Sequence, residues 1–216
     1  MPSIGIPTDT NLFVLPDLLP APEDDGAARH LRGAWIPSIS LRSTRGRLVD
    51  IAEESQHLSV FFFYPATVKP GVPIPGEWSE IPGARGCTVQ NCAFRDVFSE
   101  FQQLNCRVFG VSGQGQDPDE GLDEQREFAD RVHLPFELLN DSRFEVTRAL
   151  GLPTFVADLR SPTVTFEGRE STFPLLGRTL VKRLTFVADR GRIEKVFYPV
   201  FPPDKNAFVV LEYIRE

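Results

Sequence analysis

The sequence at residues 86–96 reads Gly86-Cys87-Thr88-Val89-Gln90-Asn91-Cys92-Ala93-Phe94-Arg95-Asp96. It follows a segment rich in Pro and Gly, and from Thr88 onward the apolar residues recur at helical spacing. This pattern predicts that Cys87 stands at the N-terminus of a helix, where free backbone N–H groups and the helix dipole favour a thiolate. Cys92 follows closely enough in sequence to react with whatever the first thiol becomes.

Strands and helices alternate on both sides of this stretch. Residues 58–64 form an almost continuous apolar run, which is typical of a central strand covered on both faces. The same reasoning predicts further strands at 106–112, 136–139, 180–188 and 193–198, and helices over 88–104, over 119–132, from Asn140 to Leu150, and after a capping Asp204. This order predicts an α/β protein with a mixed central sheet and helices on both faces. Among common folds, the thioredoxin-like fold has this order and places a reactive cysteine at the start of the helix after the central strand.

The chain is predicted to hold one main domain with additions. Residues 1–34, rich in Pro, Asp and Gly, are predicted to form an extended N-terminal arm, and residues 35–216 the thioredoxin-like domain. Within that domain, residues 65–86 are predicted to be an inserted loop without regular structure, because Pro and Gly interrupt any pattern. Residues 151–178 also lack a clean period, and they are interpreted as a second insertion that includes a hairpin.

Composition limits the classes of partner and the compartment. The 216 residues carry 30 acidic and 23 basic side chains, and the net charge of −7 argues against a nucleic-acid or anionic-membrane surface. No apolar run approaches the length of a membrane span, so a membrane-spanning segment is not expected. Three cysteines and an N-terminus without a signal-peptide pattern favour a cytoplasmic protein. We expect no cofactor and no bound metal.

Several stretches together resemble the peroxiredoxin family, in particular its peroxiredoxin Q or bacterioferritin-comigratory branch. The resemblance covers about residues 35–215. It rests on Phe62-Phe63-Tyr64-Pro65, the stretch from Gly86 to Asp96, Val108-Phe109-Gly110-Val111-Ser112, Leu134-Pro135-Phe136 and Lys182-Arg183-Leu184-Thr185-Phe186. The Cys-x4-Cys segment with its Phe-Arg-Asp continuation is the most specific of these matches.

The resemblance implies a role for each matching residue. Cys87 is expected to be the peroxidatic cysteine and Cys92 the resolving cysteine. Pro65 is expected to shield the pocket, and Arg183 to orient the thiolate and the peroxide.

One position departs from the family pattern. The family has Thr or Ser three residues before the peroxidatic cysteine, where its hydroxyl binds the peroxide, and this chain has Ala84. An insertion also separates Pro65 from Cys87. Thr67 is the residue we assign to supply the missing hydroxyl.

The activity that the resemblance implies is that of an atypical 2-Cys, thiol-dependent peroxidase. It would reduce hydrogen peroxide or organic hydroperoxides through a sulfenic acid on Cys87. Cys92 would convert this acid to an intramolecular disulfide, and a thioredoxin-like or other dithiol would reduce the disulfide. The protein is expected to be a monomer or a homodimer.

Helix geometry places a condition on that disulfide. Residues i and i+5 of a regular helix have Cα atoms roughly 8–9 Å apart, on faces about 140° apart. A disulfide needs Cα atoms within about 7 Å. We therefore predict that the helix unwinds near residues 87–93 during the catalytic cycle.

Other interpretations of the cysteines remain open. Cys87 and Cys92 are also consistent with two buried helix thiols, or with half of a zinc site completed by Cys106, His30, His57 or His133. Cys106, in an apolar strand, is expected to be an inert core residue. The same fold also serves thiol-disulfide oxidoreductases, although a Cys-x2-Cys motif is absent, and catalytically silent redox sensors or binding modules.

Overall fold

A seven-stranded sheet forms the centre of the protein in a computed structural model, which describes residues 11–160, 163–166 and 168–216. The strands are β1 (Ser40–Ser43), β2 (Leu48–Asp50), β3 (Ser59–Phe63), β4 (Arg107–Ser112), β5 (Glu137–Asn140), β6 (Thr154–Val156), β7 (Thr163–Phe166), β8 (Arg169–Thr172), β9 (Thr179–Val181), β10 (Leu184–Asp189) and β11 (Arg192–Phe197). The α-helices are α1 (Ile51–Glu54), α2 (Gly76–Glu80), α3 (Cys87–Asp96), α4 (Phe98–Gln103), α5 (Pro118–Arg131), α6 (Glu145–Ala149) and α7 (Asn206–Arg215). Short 3-10 turns lie at Arg29–Leu31 and Pro203–Lys205.

The sheet has the predicted mixture of parallel and antiparallel strands. Its order is β11-β10-β3-β4-β5-β1-β2. The three central strands β3, β4 and β5 run parallel, and β10 pairs antiparallel with β3. The two-residue turn between β10 and β11 holds Arg190 and Gly191 at φ 50° and 77°, the left-handed geometry of a tight hairpin. The prediction of a mixed sheet is confirmed.

Strand β3 lies between two other strands, β10 and β4, and every one of its side chains is buried. Phe62 stacks on Phe94 of α3 with ring centroids 4.2 Å apart, and it lies on one face of the sheet. Phe61 points to the other face, where it stacks on Phe109 at 5.2 Å. The alternation of a strand thus converts one apolar run into two cores, and Phe62 anchors α3 to the middle of the sheet.

Helices cover both faces of the sheet, as predicted. One core joins β3 to α3, α5 and α7 through Phe94, Phe128 and Leu211. The opposite core receives Ile51 of α1 and Val146 of α6.

The two predicted insertions pack against each other in a third apolar cluster. Trp78 of the first insertion lies 5.6 Å from Phe173 of the second, measured between ring centroids. The prediction that residues 65–86 lack regular structure is wrong, because α2 forms there. Pro75 precedes the helix in an extended conformation, and buried Trp78 holds it against the cluster. In the second insertion, β7 and β8 pair as a hairpin.

The N-terminal arm contacts the domain along its described part. Leu12 joins the cluster between the insertions, and Leu31 is fully buried in the core that contains α1 and α6. Residues 1–10 of the predicted arm lie outside the described residues. The boundary at residue 34 stays a prediction.

Three element boundaries differ from the sequence prediction. The helix over 88–104 is divided at Val97, a β-branched residue whose φ and ψ of −110° and 13° are not helical. The strand over 180–188 is divided into β9, which pairs with β6, and β10, which pairs with β3. Asp204 does not cap the last helix, because it belongs to the 3-10 turn that precedes α7.

Candidate active site

Cys87 is the first residue of α3, and its side chain is buried, with 5% of its surface exposed. The residue before it, Gly86, has φ of +107°. A Cβ atom at this position would lie 2.4 Å from Cγ of Pro203. Both the backbone conformation and the close approach therefore require glycine, and they fix where the helix begins.

Arg183 contacts the sulfur of Cys87. Its Nη2 lies 3.2 Å from Sγ, and the same nitrogen donates to the carbonyls of Ala84 at 3.3 Å and Arg85 at 3.2 Å. The side chain is 3% exposed, so its positive charge acts on the sulfur with little screening by solvent. The guanidinium is therefore placed to attract electron density on the sulfur.

The sheet explains why residues so distant in sequence meet. Strand β10 runs antiparallel to β3, so Leu184 at its start pairs with Phe63 at the end of β3. Arg183 directly precedes β10 and therefore lies near the C-terminal end of β3. The expectation of an arginine within a strand is corrected, because Arg183 lies in the connection between β9 and β10.

Tyr64 and Pro65 directly follow β3, at the same end of the sheet as Arg183, and the shielding role of Pro65 stays a prediction. Pro65 is buried, and its carbonyl accepts a hydrogen bond from Ser112 Oγ at 2.9 Å. Tyr64 is fully buried; burial raises the pKa of its hydroxyl, and the neighbouring Cys87 raises it further. Tyr64 therefore keeps its proton, and its hydroxyl accepts a hydrogen bond from Gln125 Nε2 at 3.3 Å. No local pattern in the sequence points to this hydroxyl.

The hydrogen bonds of Thr67 lead away from the sulfur. Its amide and its hydroxyl donate to Gln114 Oε1, at 3.0 and 3.1 Å, and Gln114 in turn donates to Glu124 at 3.0 Å. At Ala84, where the family has a hydroxyl, the buried backbone carbonyl accepts from Arg183. The peroxide-binding role of Thr67 stays a prediction.

Cys92 lies on the same helix as Cys87, and both are free thiols. It is 8% exposed and belongs to the apolar core around Phe62 and Phe94, and burial raises the pKa of its thiol. An intact α3 therefore disfavours both the approach of the two sulfurs and the ionisation of Cys92. Cys106, in the same core, is 4% exposed, and burial raises its pKa to about 12.

Two amide side chains, those of Gln90 and Asn206, are linked to Arg183 by hydrogen bonds that the sequence does not predict. Arg183 Nη1 donates to Gln90 Oε1, and Gln90 Nε2 donates to Asn206 Oδ1 at 2.9 Å. Thr185 Oγ1 donates to the same Asn206 oxygen at 2.7 Å. The only sequence signal was the position of Gln90, three residues after the cysteine and therefore on the same side of the helix. The contribution of Asn206 depends on a contact between distant segments, which no local pattern indicates.

A cavity of about 530 Å³ lies beside Arg183. Its walls include Pro22 of the N-terminal arm, Ile81, Phe155 and Val200. Arg183 lines this cavity, and Cys87 is not among the residues of its walls.

Neither a metal cluster nor a membrane helix is found in the part of the chain that the structure describes. No three His, Cys, Asp or Glu residues there are grouped to hold a metal ion. No helix among the described residues is long and apolar enough to cross a bilayer.

Comparison with known proteins places this site in a family. The model of the AhpC/TSA family matches residues 81–196, a range that contains Cys87, Cys92 and Arg183. The chloroplastic peroxiredoxin Q of Gentiana triflora is 28% identical over 94% of this chain and 78% of its own length. That of Sedum lineare is also 28% identical, over 87% of this chain and 80% of its own length.

Solved structures with the same fold include two bacterial proteins. Peroxidoxin BcpB of Mycobacterium tuberculosis superimposes with a TM-score of 0.58 at 23% identity, covering 85% of this chain and 96% of its own. The bacterioferritin comigratory protein of Xanthomonas campestris, studied for its alkyl peroxide reduction activity, gives a TM-score of 0.56 at 18% identity, covering 92% and 96%. These likenesses confirm the predicted fold.

Proposed function

This chain belongs to the AhpC/TSA family and is a peroxiredoxin with the thioredoxin-like fold, and we propose that Cys87 is the residue with which it reduces peroxides. The observation that carries the proposal is the contact between Arg183 Nη2 and Cys87 Sγ, 3.2 Å long, at the N-terminus of α3. Cation and helix terminus both favour the thiolate, which is the nucleophilic form of cysteine. The relatives named peroxiredoxin Q support the same reaction.

The first step forms a sulfur–oxygen bond and breaks the oxygen–oxygen bond. The Cys87 thiolate attacks one oxygen of the hydroperoxide, and the other oxygen leaves with the electron pair of the broken bond. That oxygen takes a proton and departs as water or an alcohol, while Cys87 becomes a sulfenic acid. Because Arg183 Nη2 lies 3.2 Å from Sγ, a peroxide oxygen bound at the sulfur would lie near the guanidinium, which would stabilise the negative charge that develops in the transition state.

The second step requires Cys92. Its thiolate attacks the sulfur of the sulfenic acid, a disulfide forms, and hydroxide leaves and is protonated to water. The step follows the unwinding of α3, which brings the two sulfurs within bonding distance and removes Cys92 from the core that raises its pKa. A thioredoxin-like or other dithiol then supplies two electrons and restores both thiols.

Peroxide class, location and assembly are also part of the proposal. Hydrogen peroxide and organic hydroperoxides are the substrates, in line with the alkyl peroxide reduction studied in the Xanthomonas relative. A cytoplasmic location is supported by the small number of cysteines, three in 216 residues, which does not make the disulfide framework of a secreted protein. A monomer or homodimer is expected, and light scattering of the purified protein tests this state.

The test is consumption of peroxide by the reduced, purified protein in the presence of a dithiol. Cys87→Ala should abolish consumption. Cys106→Ala is the matched control, because it removes a buried thiol of the same core whose pKa of about 12 keeps it protonated. Consumption by Cys87→Ala at the wild-type rate contradicts the proposal.

A further inference from the structure

Asn206 connects the C-terminal helix to the cysteine through two side chains. Its Oδ1 accepts from Gln90 Nε2 at 2.9 Å, and Gln90 Oε1 accepts from Arg183, which contacts Cys87. Gln90 is fully buried, Asn206 is 4% exposed and Arg183 is 3% exposed. Buried polar contacts of this kind are costly to leave unmade, and together they define one arrangement of the three side chains.

The arginine fixes the direction of the hydrogen bonds that lead from Arg183 through Gln90 to Asn206. A guanidinium only donates, so the oxygen of the Gln90 amide must face Arg183 and its nitrogen must face Asn206. The hydroxyl of Thr185 donates to the same Asn206 oxygen at 2.7 Å. Asn206 is thus required as the last acceptor in this series of hydrogen bonds. Without it, the Gln90 amide loses the hydrogen bond that orients its oxygen toward Arg183.

The same contact opposes the movement that the disulfide requires. Gln90 lies within residues 87–93, the part of α3 that must unwind before Cys92 reaches Cys87, whereas Asn206 begins α7. Unwinding therefore breaks the hydrogen bond between Gln90 and Asn206. Pro203, three residues before Asn206, packs over Gly86 and adds to the hold of this segment on the start of α3.

We propose that Asn206 is a positioning residue that acts through Gln90 in both half-reactions. It holds Arg183 against the Cys87 thiolate during peroxide reduction, and it opposes the unwinding of α3 that disulfide formation requires. The role rests on the proposed peroxidase function. Its consequence is that loss of Asn206 changes the two steps in opposite directions.

The experiment measures both steps in the Asn206→Leu variant, whose side chain has the same branched shape and no acceptor. Rapid-mixing experiments with hydrogen peroxide, quenched and analysed by intact mass, follow the sulfenic acid and the disulfide separately. We expect oxidation of Cys87 to slow about fivefold and disulfide formation to quicken about fivefold, the scale of one buried hydrogen bond. Asn206→Asp keeps the acceptor and should restore both rates toward wild type.

Val146→Ala separates a positioning role from a general loss of stability. Val146 is fully buried in the core on the opposite face of the sheet, so its truncation destabilises the protein without touching the side chains of Gln90 and Asn206. Both rates should stay at wild-type values in this variant. If Asn206→Leu does not fold, Gln90→Leu breaks the same link from α3 and carries the same expectation.

A result in which Asn206→Leu slows both steps, or leaves both unchanged, overturns the proposal. So does an Asp variant that behaves like the Leu variant. Hydrogen exchange of the α3 amides in the reduced proteins provides a readout without peroxide, and it should be about fivefold faster in Asn206→Leu. If the wild type consumes no peroxide, the proposed function fails, while this exchange measurement still decides whether Asn206 restrains α3.

Discussion

Replacement of Arg183 by methionine tests how much the guanidinium contributes to the reaction of Cys87. Methionine keeps much of the length and apolar volume of the side chain, and it removes the charge and the donor that lies 3.2 Å from Sγ. A hydrogen bond to a charged group is worth about 1.5–3 kcal/mol, and each 1.36 kcal/mol corresponds to about tenfold in rate. Oxidation of Cys87 should therefore slow by about 10-fold to 150-fold.

The assay is the pseudo-first-order oxidation of the reduced protein by hydrogen peroxide, followed over a range of pH. Arg183→Lys keeps the charge without the fork of donors that also binds the Ala84 and Arg85 carbonyls, so an intermediate rate is expected. Arg107→Met is the matched control, because Arg107 pairs with Glu54 at the opposite end of the parallel strands. An Arg183→Met rate within about twofold of wild type would refute the reasoning.

Two further predictions concern stability. Gly86→Ala should destabilise the protein by about 1–3 kcal/mol in urea unfolding, because φ is +107° and the new Cβ meets Pro203. Gly46→Ala, at φ +80° with no atom within 4 Å of the new Cβ, should lower the free energy of unfolding less. Equal losses in the two variants would contradict the steric argument. Burial raises the pKa of Glu137, but the hydrogen bonds from Arg47 outweigh it and hold the pKa below its usual range. A depressed carboxyl pKa adds stability above about pH 4.3, which is lost as pH falls through the folded-state value. Arg47→Met should therefore lower the Tm more at pH 7 than at pH 3.5, and equal shifts at both pH values would be inconsistent with this pairing.

The parts of the fold that the sequence predicts are those set by local patterns. The apolar run that ends at Tyr64 specifies a strand buried on both faces, and β3 accordingly lies inside the sheet, between β10 and β4. The change from Pro and Gly to helical spacing at Gly86 locates the start of α3 to within a residue.

The parts that the sequence does not predict depend on contacts between distant segments. Nothing in the continuous pattern of residues 180–188 shows that its two ends pair with different strands, so the break before Leu184 was missed. Helix α2 forms in a Pro-rich loop because Trp78 packs on the second insertion. The hydrogen bond between Gln90 and Asn206 likewise joins residues with no shared local pattern.

The resemblance names Arg183, and the structure has its Nη2 3.2 Å from Cys87 Sγ, although the strand expected to carry it begins one residue later. The chain departs from the family at Ala84, and there the structure offers a backbone carbonyl bound by Arg183. The hydroxyls of Thr67 and Tyr64 differ in a way that sequence cannot reveal. The Thr67 hydroxyl donates to Gln114, whereas the Tyr64 hydroxyl accepts from Gln125, and the neighbouring Cys87 raises its pKa.

The central claim is that Cys87 is oxidised first and that Cys92 resolves it on an unwound α3. The most direct measurement is the intact mass of the reduced wild type and of Cys92→Ser after one equivalent of hydrogen peroxide. The wild type should lose about 2 Da as the disulfide forms, and Cys92→Ser should gain about 16 Da as the sulfenic acid accumulates. A wild type that gains about 16 Da and forms no disulfide, or a Cys92→Ser protein that loses about 2 Da, would contradict the account.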